Sequence, residues 1–398
     1  MKILVLNCGS SSVKYKLYDM SDEHEITSGA VEKVGLPDSF LKFKYNGEKV
    51  LIEKELPTQA EAVQLILDTL VDPKYSFIKS YDEIGAVGHR VVHGGETFTE
   101  SVVIDDKCLA AMHDLIDLAP LHNPANIKGV EAVSKLLPKI KQVAVFDTAF
   151  HQTMEPYAFH YALPYRMYRD LKVRRYGFHG TSHRYVSKRA CEILGLDYHT
   201  AKLITCHIGN GGSIAAIKGG KVLDTSMGLT PTEGLIMGTR SGDVDPGALA
   251  FIMEKEGLDA QGLSKLVNKE SGVAGFSEIS SDMRDIEDAI SAGNERAKLV
   301  LEMYDHRIKK YVGAYLALLN GADAIIFTGG VGENQCSTRE YVCSNMEYAG
   351  IIFDSERNNG ARGKEIVLSK PESKVKVVVV PTDEELLIAR DTLELTTR

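Results

Sequence analysis

The chemistry-bearing residues of this chain gather where short apolar runs break into glycine, hydroxyl and charged side chains. The run 3–6 opens into Asn7-Cys8-Gly9-Ser10-Ser11-Ser12-Val13-Lys14. Small residues there free backbone N–H groups and hydroxyls to close around an anion, and Lys14 adds a point charge. Alone, such a stretch reads equally well as an ordinary serine-rich hairpin turn. Cys206-His207-Ile208-Gly209-Asn210-Gly211-Gly212-Ser213 repeats the pattern of strand, polar residue, one residue and glycine. Thr328-Gly329-Gly330-Val331-Gly332-Glu333-Asn334 is a third glycine-rich exit from an apolar run. Three such junctions suggest a nucleotide, although G-x-x-x-x-G-K-[ST], G-x-G-x-x-G and the protein-kinase signatures are all missing. The recurrence argues for a duplicated fold with two phosphate-gripping hairpins.

Other chemistries fit less well. His89 and His93 stand four apart, as zinc ligands do, but Arg90 occupies the place of the general-base glutamate and the glycines and valines favour strand. His179-Gly180-Thr181-Ser182-His183 fails for the same reason and reads as a loop before a helix capped by Thr or Ser. No G-x-S-x-G nucleophile elbow occurs. Seven histidines (89, 93, 122, 151, 179, 183 and 207) nonetheless lie in segments dense in Gly, Asp, Arg or Asn. Such segments suit strand ends, where α/β proteins place their sites.

The elements that must position these groups can be read in outline. A chain of 398 residues calls for two or three domains. Alternation and Asn46-Gly47 predict a hairpin over 41–52. Helical spacing runs over 58–71, 105–118 and 123–137, with strands at 84–92 and 142–146. A second series begins with a strand at 203–206. Asn294 should cap a long helix ending at Asn320-Gly321, with Leu299, Met303, Tyr311 and Tyr315 among its apolar positions. Strands at 324–327 and 374–380 follow, and a helix starts near Asp383-Glu384-Glu385. The net charge of −9 gives no general attraction to nucleic acid or anionic membranes. There is no signal-like segment and no apolar run of ~20 residues, and the six cysteines form no C-x-x-C pair. A cytoplasmic protein with reduced thiols is expected.

Taken together, the motifs resemble the acetate kinases, members of the acetate and sugar kinase/Hsp70/actin superfamily. The resemblance spans the chain through NCGSSSVK (7–14), GHRVVHGGE (88–96), LAPLHNP (118–124), FDTAFHQTM (146–154) and YGFHGTSH (176–183). CHIGNGGS (206–213), MGLTPTEGLIMGTRSGDVDP (227–246), TGGVGEN (328–334) and PTDEE (381–385) extend it.

The resemblance implies an α/β, duplicated actin-like ATPase (ribonuclease H-like) fold with two domains around a central nucleotide cleft. Residues 1–150, with the C-terminal helix at about 384–398 packed on them, would form one domain, and 151–383 the other, carrying the adenosine site. The implied reaction is reversible, Mg²⁺-dependent phosphorylation of acetate by ATP, giving acetyl phosphate and ADP, with Mn²⁺ as an alternative ion. Acetate is already ionised at neutral pH, so it needs a cation to hold it rather than a base. Arg90 is implied for that task. His179 and Arg240 would stabilise the transition state, and Asp147 is the family's catalytic aspartate. We expect Asp147 to orient water or Mg²⁺ and to position Arg or His side chains.

Asn7 and Glu384 match the metal positions. ATP contacts carried over are Ser10, Ser12, Lys14, His207, Ile208, Gly209, Asn210, Gly211, Asp282, Met283, Arg284, Gly330, Val331, Gly332, Glu333 and Asn334. Asp282 and Arg284 could instead form a local pair at a helix start. Val92, Leu121, Phe178 and Pro231 would line the acetate pocket, with His122 nearby. A propionate or butyrate kinase, an actin- or Hsp70-like ATPase module and, last, a metal hydrolase are the competing readings. A homodimer is also implied, and two halves gripping one nucleotide are expected to close on ATP and exclude water.

Overall fold

The computed structural model comprises residues 1–398. Tertiary contacts divide them into two compact units, Met1–Phe150 with Asp383–Arg398, and His151–Thr382. No helix is long and apolar enough to cross a membrane.

The first unit is built on β1 (Lys2–Cys8), β2 (Ser12–Asp19), β3 (His24–Glu32), β4 (Phe40–Tyr45), β5 (Glu48–Glu53), β6 (Ile84–Val91), β7 (Val102–Val103) and β8 (Lys141–Phe146). They form one sheet in the order β5-β4-β3-β2-β1-β6-β8-β7. β1, β6 and β8 are parallel, and the remaining pairs are antiparallel. β1 is a continuous apolar run because both its faces are covered. Leu4 and Leu6 pack with Val63, Ile66 and Leu70 of the helix Gln59–Val71, and Ile3 and Val5 with Ile388 and Ala389 of the C-terminal helix Glu384–Thr397. The first of these helices starts on a capping box: Thr58 Oγ1 accepts from the Ala60 N–H and its hydroxyl meets Glu61.

Gly88 explains how close the C-terminal helix lies. A Cβ there would stand 2.4 Å from Thr392 Oγ1 and 2.6 Å from Ile388 Cγ2. Glycine therefore lets the helix settle on β6. Glu384 lies one turn before Ile388, towards the end of β6 that carries Arg90.

The second unit contains β9 (Lys202–Ile208), β10 (Gly212–Lys218), β11 (Lys221–Thr225), β12 (Ala324–Thr328), β13 (Ile366–Val367) and β14 (Lys376–Val379), in the order β11-β10-β9-β12-β14-β13. β9, β12 and β14 are parallel and the edge strand β13 is antiparallel to β14, as β7 is to β8. All six positions of this sheet therefore repeat β3-β2-β1-β6-β8-β7 of the first in order and direction. This is the duplicated actin-like topology. In register, Asn7 faces Lys14 across the first hairpin and His207 faces Ser213 across the second.

Three local readings need correction. The long helix Glu295–Leu319 is capped by Asn294 and ended by left-handed Asn320, but Leu299 is 47% exposed. The inward stripe is Ala297, Val300, Tyr304, Ile308, Val312, Tyr315 and Leu319, one position out of phase with Leu299. The helix Gly180–Leu194 begins directly after His179, so Thr181 and Ser182 lie inside its first turn and cap nothing. The third glycine-rich stretch is a short helix, Gly329–Asn334, rather than a turn.

Asp305, on the long helix, is buried and accepts a hydrogen bond from Thr338 Oγ1 at 2.8 Å. Desolvation, with Glu287 adding, pushes its carboxyl up to about 7. An unfolded aspartate ionises near ~4, so the folded chain holds a proton there that the unfolded chain has released. The stability this group contributes is thus present below about pH 4 and is lost as pH rises towards 7. Asp305→Asn keeps an acceptor for Thr338 and never ionises. It should melt near the wild type at pH 4 and at a higher temperature than the wild type at pH 8, as thermal scans at both values would register.

Candidate functional site

In the first unit, Asn7, Arg90 and Asp147 stand at the carboxyl ends of three neighbouring parallel strands. Arg90 Nη2 donates to Asp147 Oδ2 at 2.6 Å, and Nε to Oδ1 and Oδ2 at 3.1 and 3.2 Å. Asp147 is 1% exposed and Arg90 25%. The Asp147 charge, helped by Glu384 and Glu385, holds the guanidinium pKa above its ordinary value against desolvation. The Nη1 edge of Arg90 donates to no protein group, which leaves a planar, charged fork for a carboxylate.

Glu384, in the first turn of the C-terminal helix, is pushed up to about 7 by desolvation. Asp147 and Glu385 add to that effect, while Arg90 and Lys14 oppose it. A carboxylate short of positive charge and the amide oxygen of Asn7 are hard donors for a cation that keeps phosphate and water as its other ligands. No group of three His, Cys, Asp or Glu side chains converges as a metal cage. Lys14 is exposed on β2 opposite Asn7, so it shares the sheet face of the proposed metal ligand.

Buried amides hold this edge in place. Asn126 Nδ2 donates to Cys8 O at the end of β1 and its Oδ1 accepts from the Val92 N–H just beyond β6, at 2.7 and 3.1 Å. Asn123 brackets His93 in the same way. Gln59 Nε2 donates to the carbonyls of Gly9 and Ser10, pinning the serine turn while Ser10 itself stays exposed and Ser12 half-buried.

In the second unit, His179 and His207 stack with centroids 4.2 Å apart. His179 has a left-handed backbone (φ 58°), a strained conformation for a residue with a Cβ. Gly211 lies against it: a Cβ at Gly211 would be 3.6 Å from the His179 Cε1–Nε2 edge and 3.3 Å from Arg240 Nη1. Arg240 bonds only Pro231 O, at 3.2 Å, and Met237 Sδ, at 3.5 Å. Burial lowers its pKa and no carboxylate offsets this. His207 Nδ1 pairs with Ser182 Oγ at 2.8 Å, and Ser182 also meets Thr382 Oγ1 beyond β14 at 2.9 Å.

Beside these groups a cavity of about 580 Å³ is lined by Gly209, Asn210, Asp282, Met283, Arg284, Gly330, Val331 and Asn334, all expected at the nucleotide. Ser281, Glu287, Tyr304 and Arg362 also line it and were not foreseen. Only Arg362, set in Gly360-Ala361-Arg362-Gly363 like Arg240 among its glycines, carried a signal. The local pairing considered for Asp282 and Arg284 is present: the carboxylate caps the helix Met283–Ser291 and bonds Arg284 Nη2 at 2.6 Å. Ile208 and Gly332 are buried and do not line the cavity. Glu333 Oε1 accepts from the Gly329 and Thr382 N–H groups, which suits a wall-holding role better than contact with a nucleotide.

Of the expected acetate pocket, Phe178 is 3% exposed, Val92 and Pro231 are half-buried, and His122 is exposed at the start of the helix Asn123–Leu136. Leu121 is 70% exposed, so within its own unit it is surface.

The Acetokinase family model matches residues 2–390. An acetate kinase of Porphyromonas gingivalis is 65% identical over 396 residues, 99% of this chain and 100% of that one. The crystal structure of Porphyromonas gingivalis acetate kinase has a TM-score of 0.97 at 64% identity, covering 99% of each chain. A propionate kinase structure from Francisella tularensis reaches 0.92 at 40% identity, again over 99% of both chains.

Proposed function

The chain belongs to the acetokinase family, and we propose that it transfers the γ-phosphoryl group of ATP reversibly to acetate. In the forward direction a carboxylate oxygen of acetate bonds to the γ-phosphorus as the bond to the bridging oxygen of ADP breaks. The observation that carries this reading is Arg90, whose Asp147-oriented guanidinium keeps one edge for a second carboxylate. An ATPase module has no use for that edge.

Phosphoryl transfer asks a protein mainly for positioning and charge. Arg90 holds acetate and offsets its repulsion from the phosphate. Arg240 and His179 meet the charge that develops on the transferring group. Gly209, Asn210, Met283, Gly330, Val331 and Asn334 seat the nucleoside, and the serine turn with Lys14 takes phosphate oxygens. Asn7 and Glu384 would hold Mg²⁺, or Mn²⁺ in its place; when bound, the ion neutralises phosphate charge. Asp147 fixes Arg90 and supports the ion's water shell.

We place the protein in the cytoplasm as a homodimer. Free cysteines, five of them buried, suit the first assignment. Exposed Tyr157, Leu163, Tyr165 and Leu171, which crowd one short segment, suit the second.

Acceptor choice is the open competition, because a propionate kinase shares this backbone. One methylene changes discrimination by only ~1–3 kcal/mol, so propionate should be a poorer substrate rather than an excluded one. Trapping acyl phosphate with hydroxylamine, with acetate, propionate, butyrate or no acceptor, tests this. Acetate should give the highest kcat/KM. Best activity with butyrate, or equal ATP turnover without an acceptor, would overturn the assignment.

A further inference from the structure

We infer that Thr205, His183 and Ser213 form a hydrogen-bond relay that fixes the tautomer of His179, so that its Nε2 carries the ring proton. The inference rests on the reading that His179 meets the transferring phosphoryl group, and it names the residues that prepare it for that role.

The relay is a continuous chain of short contacts within the second unit. Thr205 Oγ1 lies 2.7 Å from His183 Nδ1, His183 Nε2 lies 2.7 Å from Ser213 Oγ, and Ser213 Oγ lies 2.9 Å from His179 Nδ1. Thr205, His183 and Ser213 are all 0% exposed. Burial, with His151 and His207 nearby, drives the His183 pKa well below its ordinary value, so the ring is neutral and has one N–H.

Two proton arrangements satisfy such a chain. In the first, Thr205 O–H donates to His183 Nδ1, His183 Nε2–H donates to Ser213 Oγ, and Ser213 O–H donates to His179 Nδ1. In the second every bond is reversed, and His183 Nδ1–H donates to Thr205 Oγ1. The Thr205 hydroxyl decides between them, because His183 Nδ1 is its only hydrogen-bond partner. In the reversed chain its proton would be buried without an acceptor, at a cost of ~1–3 kcal/mol. The first arrangement wins, and neutral His179 must then carry its proton on Nε2. That edge of the ring is the one lying over Gly211 beside Arg240 Nη1. A donor aimed there serves an anionic phosphoryl group, whereas a bare lone pair would repel it.

The test is tautomer spectroscopy on the whole enzyme labelled with ¹⁵N-histidine at pH 8, with His179 assigned by the loss of its signals in His179→Gln. The wild type should show Nε2 protonated and Nδ1 bare, a result that needs no stable relay variant. The isosteric Thr205→Val should introduce the Nδ1–H form and lower kcat about tenfold, less than the ~10²–10³-fold cost of a donor lost outright because part of the population keeps Nε2–H. KM for ATP and acetate should stay unchanged, and Thr205→Ser should restore both readouts. A wild-type His179 protonated on Nδ1, or a ¹⁵N pattern indifferent to Thr205→Val, would overturn the relay. A pattern that responds as expected while His179→Gln retains full turnover would uphold the relay and remove His179 from the phosphoryl-transfer step.

Discussion

Replacing Arg240 with alanine is expected to lower kcat by ~10³–10⁵-fold, the range for a guanidinium that stabilises a phosphoryl-transfer transition state. Arg240 is set apart by the partners it lacks. The other half-buried arginines near the sites have compensating partners: Arg90 has Asp147, and Arg175 has Glu233 with three backbone oxygens. Arg240 has one carbonyl and one thioether, and desolvation lowers its pKa without a compensating charge. A cation held this way weakens the resting fold slightly and gains its partner only when an anion arrives. Arg240→Ala should therefore leave the melting temperature close to that of the wild type while abolishing most turnover. The loss should fall on kcat rather than on KM for acetate, since the interaction matures in the transition state. Arg240→Lys should recover only part of the rate, because an ammonium cannot reproduce the planar fork. Steady-state kinetics with hydroxylamine trapping, paired with thermal melts, would settle it. A rate within tenfold of the wild type would remove Arg240 from the chemistry.

The two hairpins and their polar residues were legible because hairpins are local. Alternation, a run of small residues and a return strand all lie within about a dozen positions. The same holds for Asn294, whose cap reaches only two or three residues ahead. Legibility failed where a contact closes over long sequence distance. Nothing around Gly88 announces that Thr392 will lie against it, yet that contact sets where Glu384 stands. The relay from Thr205 to His179 joins a strand, a helix and a second strand, and no spacing rule connects them. Thr181 and Ser182 were misread for a related reason. Their side chains suit a cap, but the strained backbone of His179 starts the helix earlier and carries Ser182 to His207. The glycines at 329–334 were misread as a turn because propensity disfavours glycine in helices, and tertiary packing overrides it.

Asp147→Asn is the second large effect, expected at ~10²–10³-fold in kcat even at saturating Mg²⁺, on the scale of losing one preorganised charge at a reacting centre. The substitution keeps the shape and one acceptor oxygen. It removes the charge that orients the Arg90 fork and sustains its pKa. Because Asp147 acts on acetate through Arg90, KM for acetate should rise with the fall in kcat, unlike the Arg240 variant. Stability should drop by less than the ~3–5 kcal/mol typical of a broken buried ion pair. Arg90 is 25% exposed, so its orphaned charge can turn to water. A double-mutant cycle separates the two roles assigned to Asp147. If it works only by holding Arg90, adding Asp147→Asn to Arg90→Ala should cost nothing further. A further loss in the double variant, relieved by raising Mg²⁺, would assign the remainder to the ion's water shell beside Asn7 and Glu384. Wild-type turnover in Asp147→Asn at saturating Mg²⁺ would dismiss both roles at once.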